Sequence, residues 1–449
     1  MTSPLTKEFA ADIADDAVRH GASAAEVVIR QGTEFSVGVR LGEVETLKQS
    51  TGRGLGLRVL IDGRQASVSG SDFSREAILS LIRETVELAR ATSPDDSAGL
   101  PAPDEFASSM PDLDLYDEEI ETLSPDDKIE LALRTERAAR NASPLIVNFE
   151  GGGFDSSAGS MILANSLGFV GHYRGTSCSL ATVPVAADDG KMQRDYWFDH
   201  RRKLSQMDTP EQIGLVAAQR TLRKLGARPV PTQNVPVIFE PHISRDLLGD
   251  IFEAASGESI FRKASFLVGR LGERIASLKL TVIDDGTLPA RVGSRPFDGE
   301  GLPTRRTLVI NKGVLESYLL NSYTARKLRL KSTGNASRGL VGAPTVEAGN
   351  LFVEAGPHSP NEIIRSVKRG LYVTELIGFG VNTVTGDYSR SAAGLWIEDG
   401  ELAFPVQGVT IAGNLKEMLN QIEMVGNDLD FRGSIAAPTL LIGQMMIGA

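Results

Sequence analysis

Residues 56–70 read GLRVLIDGRQASVSG, two strand-like runs, GLRVLI and QASVSG, separated by Asp62-Gly63. A two-residue hairpin turn of the primed type needs positive φ at both central positions, and Asp-Gly is among the pairs that tolerate it. The stretch therefore predicts antiparallel pairing. Working outward, the same punctuation recurs: around Asp189-Gly190 between SLATVPVA and KMQRDYWFD, at Asn311-Lys312-Gly313 between TLVI and VLESYLL, and at Asp399-Gly400 between GLWIE and ELAFPV. Upstream, AEVVIRQ (25–31) and TEFSVGVR (33–40) read as two further strands.

Helix signals interleave with these runs. Phe9, Ile13, Ala14 and Ala17 fall at helical spacing, and Ser74 sits at the N-cap of a stripe formed by Ile78, Leu81, Ile82 and Ala89. Ser124-Pro125-Asp126-Asp127 combines an N-cap, a proline at the first helical position and acids in the first turn. Thr209-Pro210-Glu211-Gln212 is a capping box for a helix stopped by Gly226. Further helices are expected at about 242–256, 359–369 and 415–422. The predicted class is α+β: an N-terminal domain of mainly antiparallel strands and helices, then a C-terminal strand-rich domain with a curved or barrel-like sheet.

A length of 449 residues exceeds what one core serves. Residues 93–114 hold four prolines and six acids with no lysine or arginine, the composition of a linker or surface arm. The expected division is 1–92, a linker at 93–114, a middle region at 115–226 packing with the first, and 234–449 after a proline-rich joint. A net charge of −11 argues against a nucleic-acid partner. The basic group Arg326, Lys327, Arg329 and Lys331 alternates with leucines and reads as a solvated face. No apolar run approaches a membrane span. The opening MTSPLTKEFAADIADD is acidic rather than basic and apolar, and Cys178 is the single cysteine, so a cytoplasmic chain without disulfides is expected.

Phosphate-loop, nucleophile-elbow and paired-cysteine motifs are absent, and no two of the five histidines lie three to five residues apart. The segment PHISRDLLGDIFEAASGE (241–258) buries Ile243, Leu247, Leu248, Ile251 and Phe252 and places His242, Asp246 and Asp250 on another face. Three ligands on successive turns span roughly 12 Å, too far for one ion. A polar helix face accounts for them.

At this helix and downstream the chain resembles the TldD/PmbA family, once described as modulators of DNA gyrase. The similarity is carried by residues 297–338 (FDGEGLPTRRTLVINKGVLESYLLNSYTARKLRLKSTGNASR), 370–419 (GLYVTELIGFGVNTVTGDYSRSAAGLWIEDGELAFPVQGVTIAGNLKEML) and 425–442 (VGNDLDFRGSIAAPTLLI). The resemblance implies a zinc-dependent protease built as a heterodimer of a TldD-type and a TldE/PmbA-type subunit, which encloses unfolded peptides. The TldD-type subunit carries His-Glu-x-x-x-His on this helix and a late cysteine. Here Gly249, Asp250 and Ala254 stand at the motif positions, and Ala436-Ala437-Pro438 where the cysteine belongs. A metalloprotease needs protein ligands around zinc and a carboxylate base. The resemblance thus implies a zinc-less subunit, with no catalytic or metal-binding residue, whose zinc sits in a TldD-type partner.

Two polar glycine turns, STGNASR (332–338) and TGDYSR (385–390), are candidate substrate contacts, with Asn335, Arg338, Asp387, Tyr388 and Arg390 as the residues. Capping of strands is the alternative for each. Two other readings stay open: a serine hydrolase using Ser389, and a homodimeric peptide-binding or scaffold protein without protease activity.

Overall fold

The computed structural model describes residues 5–449; the first four residues of the opening segment lie outside the described residues. Helix α1 (Lys7–Arg19) starts where the Thr6 hydroxyl accepts the Phe9 N–H, and buries Ala10, Ile13, Ala14 and Ala17. Long strands follow: β1 (Ala24–Arg40), β2 (Glu43–Ile61) and β3 (Arg64–Gly70), then α2 (Arg75–Ala91) capped by Ser74. Asp62 and Gly63 have φ of 47° and 78°, as the hairpin requires. After the 93–114 arm come α3 (Glu118–Thr122), α4 (Pro125–Asn141), β4 (Ile146–Asn165), β5 (Val170–Asp188), β6 (Lys191–Arg194), β7 (Trp197–Arg201) and α5 (Pro210–Leu222).

These strands form one seven-stranded antiparallel sheet, in the order β3-β2-β1-β4-β5-β6 with β7 also on β5. The segments before and after the acidic arm therefore share a single sheet. Residues 25–31 and 33–40 form one strand rather than two, because Gly32 continues the ladder opposite both Gly52 and Gly159. One end of the sheet packs Val27, Ile29, Leu55 and Leu57 under α1 and α2. The other packs Phe35, Val37, Phe154 and Leu180 under α3, α4 and α5.

The remainder runs β8 (Gln233–Phe239), α6 (Pro241–Ala255), α7 (Gly257–Phe261), β9 (Val282–Asp285), β10 (Arg306–Asn311), β11 (Val314–Leu315), α8 (Ser322–Leu328), β12 (Ala336–Ser337), β13 (Thr345–Val346) and β14 (Leu351–Val353). It ends with α9 (Pro360–Ser366), β15 (Arg369–Ile377), β16 (Asp387–Glu398), β17 (Glu401–Asn414), α10 (Leu415–Asn420), β18 (Ile422–Val425), β19 (Ile435–Ala436) and β20 (Leu440–Gly448). Pairing of β17 with β20 closes β17-β16-β15-β8-β20 into a five-stranded barrel, and β18 adds to β20. Bulges at Val373/Glu375 and Ala392/Gly394 bend the strands enough to close it. At Gly394 a Cβ would lie 2.1 Å from the Tyr372 carbonyl oxygen, so no larger residue fits that corner. A smaller sheet, β11-β10-β9-β14-β19, lies beside the barrel, and α6 packs between them.

The basic group at 326–331 is not simply a solvated face. Arg326 donates to the carbonyls of Ser97, Gly99 and Leu100, and Lys327 pairs with Asp95 at 2.8 Å. The acidic arm is thus clamped to α8, while Leu113 and Leu115 insert into the body. Arg326→Ala should leave the domains folded and speed proteolytic nicking within residues 93–114, as read by mass spectrometry of limited digests.

A buried ion cluster joins the halves. Glu26 on β1 is fully buried, pairs with Arg58 at 2.5 Å and also contacts Arg338 of the C-terminal half. Removing one partner of a buried pair leaves an uncompensated charge and costs about 3–5 kcal/mol. Glu26→Ala should therefore lower the denaturation midpoint strongly, whereas exchange of the exposed Glu45 should not; a denaturant melt followed by circular dichroism compares them.

Candidate functional site

Helix α6 follows β8 directly, with Pro241 at its first position. Its apolar stripe, Ile243, Leu247, Leu248 and Ile251, packs into the C-terminal core. That seating leaves Arg245, Asp246, Gly249, Asp250 and Glu253 along the opposite face, where they form one wall of a cleft of about 790 Å³. The other walls are Phe198 and His200 from β7, the loop from Phe379 to Thr383, Arg390 on β16, and Arg432 to Ile435. The cleft thus lies where the N-terminal sheet, the barrel and the 432–435 loop meet.

Each charged group has a definite environment. Arg390 donates from Nε to the Gly378 carbonyl at 3.1 Å, and its Nη1 lies 3.9 Å from Asp246 Oδ2. Arg245 stacks over the Phe198 ring at 5.4 Å, and Arg432 pairs with Asp208 at 2.7 Å and Asp430 at 2.8 Å. Glu253 accepts from the Ser259 hydroxyl at 3.1 Å. Asp250 differs: its buried Oδ2 has no partner, and burial pushes its carboxyl up to about 6 despite the opposing pull of Arg390. Behind it Tyr388 is 1% exposed; burial raises its hydroxyl, and the neighbouring Arg390 pulls it the other way.

Of the motif positions, Gly249 and Asp250 line the cleft and Ala254 is buried beneath it. Gly433, Ser434 and Ile435, just before the position expected for a late cysteine, line the same cleft. The residues present do not fit a zinc ion. Gly249 and Ala254 offer no donor, a Cβ at Gly249 would meet nothing within 4 Å, and Asp250 is left as one carboxylate. His242 does not join them; its ring bonds the Tyr196 hydroxyl, and burial holds it down at about 3, hence neutral.

The candidate contacts divide. Arg390 reaches the cleft, and Tyr388 stands behind it rather than reaching outward. Asn335 and Arg338 are buried elsewhere, so the expectation that they meet a peptide is corrected. The Asn335 amide donates to Asp284 Oδ2 at 2.7 Å and to the Glu347 carbonyl at 3.1 Å, and Arg338 is spent on Glu26. Asp387 is exposed outside the cleft, accepting from Thr385 Oγ1 at 2.6 Å and Asn414 Nδ2 at 3.2 Å. Ser389 is exposed, on the strand face opposite Tyr388. Sequence reasoning missed Glu253, whose signal was its spacing of three from Asp250, and Phe198 and Arg432, which only long-range folding brings here.

A second concavity, of about 560 Å³, crosses the N-terminal sheet. Gly52, Gly32, Gly159 and Gly175 stand in register across β2, β1, β4 and β5 and form its floor, with Arg30, Tyr173 and Arg202 beside them.

Fold and cleft together define a two-part α+β protein with a cavity at its junction, and comparison with known proteins gives its family. Models of the PmbA/TldA metallopeptidase match in three parts: domain 1 over residues 25–89, the central domain over 118–225 and the C-terminal domain over 232–449. The metalloprotease PmbA of Escherichia coli O157:H7 is 40% identical over 423 residues, covering 94% of this chain and 92% of that protein. The chain belongs to the PmbA/TldD family of metalloprotease-type proteins. A crystal structure from Bacteroides thetaiotaomicron, described as a putative modulator of DNA gyrase, superposes with a TM-score of 0.92 at 29% identity, covering 100% of both chains. TldE from Thermococcus kodakarensis shares the fold, with a TM-score of 0.88 at 24% identity over 98% of this chain and 99% of that one. No helix among the described residues is long and apolar enough to cross a membrane.

Asp250 also sets a pH dependence. Unfolded, an aspartate ionises near about 3.9; folded, this one keeps its proton up to about 6. Between these values unfolding releases a proton, so stability falls as pH rises across the window and stays lower above it. Asp250→Asn removes that penalty. Its melting midpoint should exceed that of the parent at about pH 7.5, with the gain shrinking towards about pH 4; equal gains at both would contradict the assignment.

Proposed function

We propose that this chain is the zinc-less subunit of a cytoplasmic, two-component zinc metalloprotease acting on unfolded peptides or small proteins. A TldD-type partner contributes zinc, its ligands and the catalytic base, while this chain shapes the substrate cavity and supports the partner's active site. The observation that carries the reading is the cleft itself. The α6 face and the 433–435 loop line one cavity, yet the motif positions hold glycine, aspartate and alanine. A carboxylate without a metal has no activated water to deprotonate at neutral pH.

The glycine-floored furrow supports the second part of the reading. Gly52, Gly32 and Gly159 leave the floor bare of side chains up to Gly175, which Arg202 overlies, so an extended chain can approach the backbone with little demand on its own sequence. The resemblance of the fold to TldE is in keeping with the same assignment.

The test is to purify the chain alone and together with a TldD-type protein from the same source, then measure bound zinc and cleavage of an unfolded peptide. The chain alone should hold no stoichiometric zinc and cleave nothing, and the complex should do both. Zinc-dependent cleavage by the isolated chain would refute the proposal. A stable homodimer that ignores the TldD-type protein would instead favour a scaffold role.

A further inference from the structure

Helix α6 presents a bare patch to its cleft. At Gly249 an added Cβ would meet nothing within 4 Å, so the floor there is backbone. A donor and an acceptor flank it. Arg245 lies over the Phe198 ring and has no hydrogen-bond or ion-pair partner among the described residues. Asp250 has none either, and its Oδ2 is buried. The two are about 7.5 Å apart along the helix axis at 1.5 Å per residue, close to the two-residue repeat of about 6.7 Å in an extended chain. Three carboxylates (Asp246, Asp250, Glu253) and three guanidiniums (Arg245, Arg390, Arg432) line the cleft, so neither sign of charge is favoured within it.

The remaining walls add apolar surface from Phe379, Val381, Val292 and Ile435. Phe379 is fully exposed, yet its backbone is fixed on both sides. The Gly378 carbonyl accepts from Arg390 Nε at 3.1 Å, and the Gly380 carbonyl accepts from the Ser389 N–H at 2.7 Å. A Cβ at Gly380 would lie 1.6 Å from the Ser389 carbonyl oxygen, so the loop takes no larger residue there. An exposed phenyl ring held in place gives the fold nothing and gains from being covered. A cavity of about 790 Å³ is sized for a few residues of chain rather than a folded surface.

We propose that the α6 cleft takes a short, extended, uncharged segment of the bound peptide, with a large apolar side chain packed on Phe379 and the backbone held over Gly249 between Arg245 and Asp250. The proposal rests on the reading of the chain as a peptide-binding subunit and adds a side-chain preference that the glycine furrow does not impose. A peptide backbone carries both donors and acceptors, which suits a free guanidinium and a free carboxylate together. The apolar side chain then covers the ring that this chain leaves in water.

Fluorescence anisotropy on the isolated full-length chain tests this with five labelled, unstructured peptides with blocked ends, identical except for phenylalanine, leucine, serine, lysine or glutamate at one central position. The phenylalanine and leucine peptides should bind about tenfold more tightly than the other three. Phe379→Ser should bring the five within about twofold of one another, with circular dichroism and melting midpoint unchanged because the ring packs on nothing. Arg245→Met and Asp250→Ala should each weaken all five several-fold and leave their ratios as they were. Equal binding of the five, no binding of any, tighter binding of the lysine or glutamate peptide, or an apolar preference that survives Phe379→Ser would overturn the proposal. So would a Phe379→Ser chain that keeps the preference and loses its hold on the TldD-type protein, which would assign the ring to subunit contact. Zinc content and cleavage in the two-subunit experiment do not depend on this preference, so failure here is separable from failure of the subunit assignment.

Discussion

The structure depends on a carboxylate that cannot tolerate solitude. Glu26 projects from β1 into the interior and is fully buried, where an isolated charge is costly unless it is paired and hydrogen-bonded. Arg58 from the neighbouring strand supplies one guanidinium and Arg338, 312 residues away in sequence, supplies another. The backbone around Arg338 is held as well. Its carbonyl accepts from Arg30, and Leu340 sits so close to β2 that a Cβ on Gly56 would come within 1.9 Å of its carbonyl oxygen. The long-range contact is therefore specified twice, once by charge and once by the absence of a side chain.

That junction governs the cleft, because no single domain builds it. Its β7 wall is fixed by cations on Trp197, with Arg220 at 4.9 Å and Arg432 at 4.8 Å from the ring centre. Arg220 continues to Glu240, the residue before α6, at 2.7 Å. Arg432 continues to Asp208, before α5. Charged side chains thus lead from the middle segment to both the helix and the loop that line the cavity. A shift of the N-terminal sheet against the barrel would open it.

Features whose cause is local were legible in the sequence. The hairpins at Asp62-Gly63 and Asp399-Gly400 follow from positive φ, and the caps at Ser74, Ser124 and Thr209 follow from one hydroxyl and one backbone N–H. Features whose cause is distant were not. Closure of the barrel depends on Thr410 to Ala412 finding Met446 to Gly448, for which no local pattern exists. Asn335 and Arg338 looked like surface donors in a polar glycine turn, and only Asp284 and Glu26 turn them into core residues. Tyr388 carried a usable signal. It shares a strand face with Ala392, and the alternation points it inward.

Two local costs coincide on one turn of α6. A glycine in a helix interior sacrifices about 1 kcal/mol relative to alanine, and nothing around Gly249 would obstruct an added methyl group. Next to it, Asp250 keeps a carboxylate that burial penalises and Arg390 only partly compensates. Neither choice benefits the fold, because alanine and asparagine would suit the same backbone better. Costs with no return in packing mark places where a chain serves something besides its own stability. Here they sit on the face of the helix that borders the cleft, beside the one charged wall whose carboxylate is still without a partner. The physical reading of this turn is therefore a helix face whose residues are not chosen for stability alone.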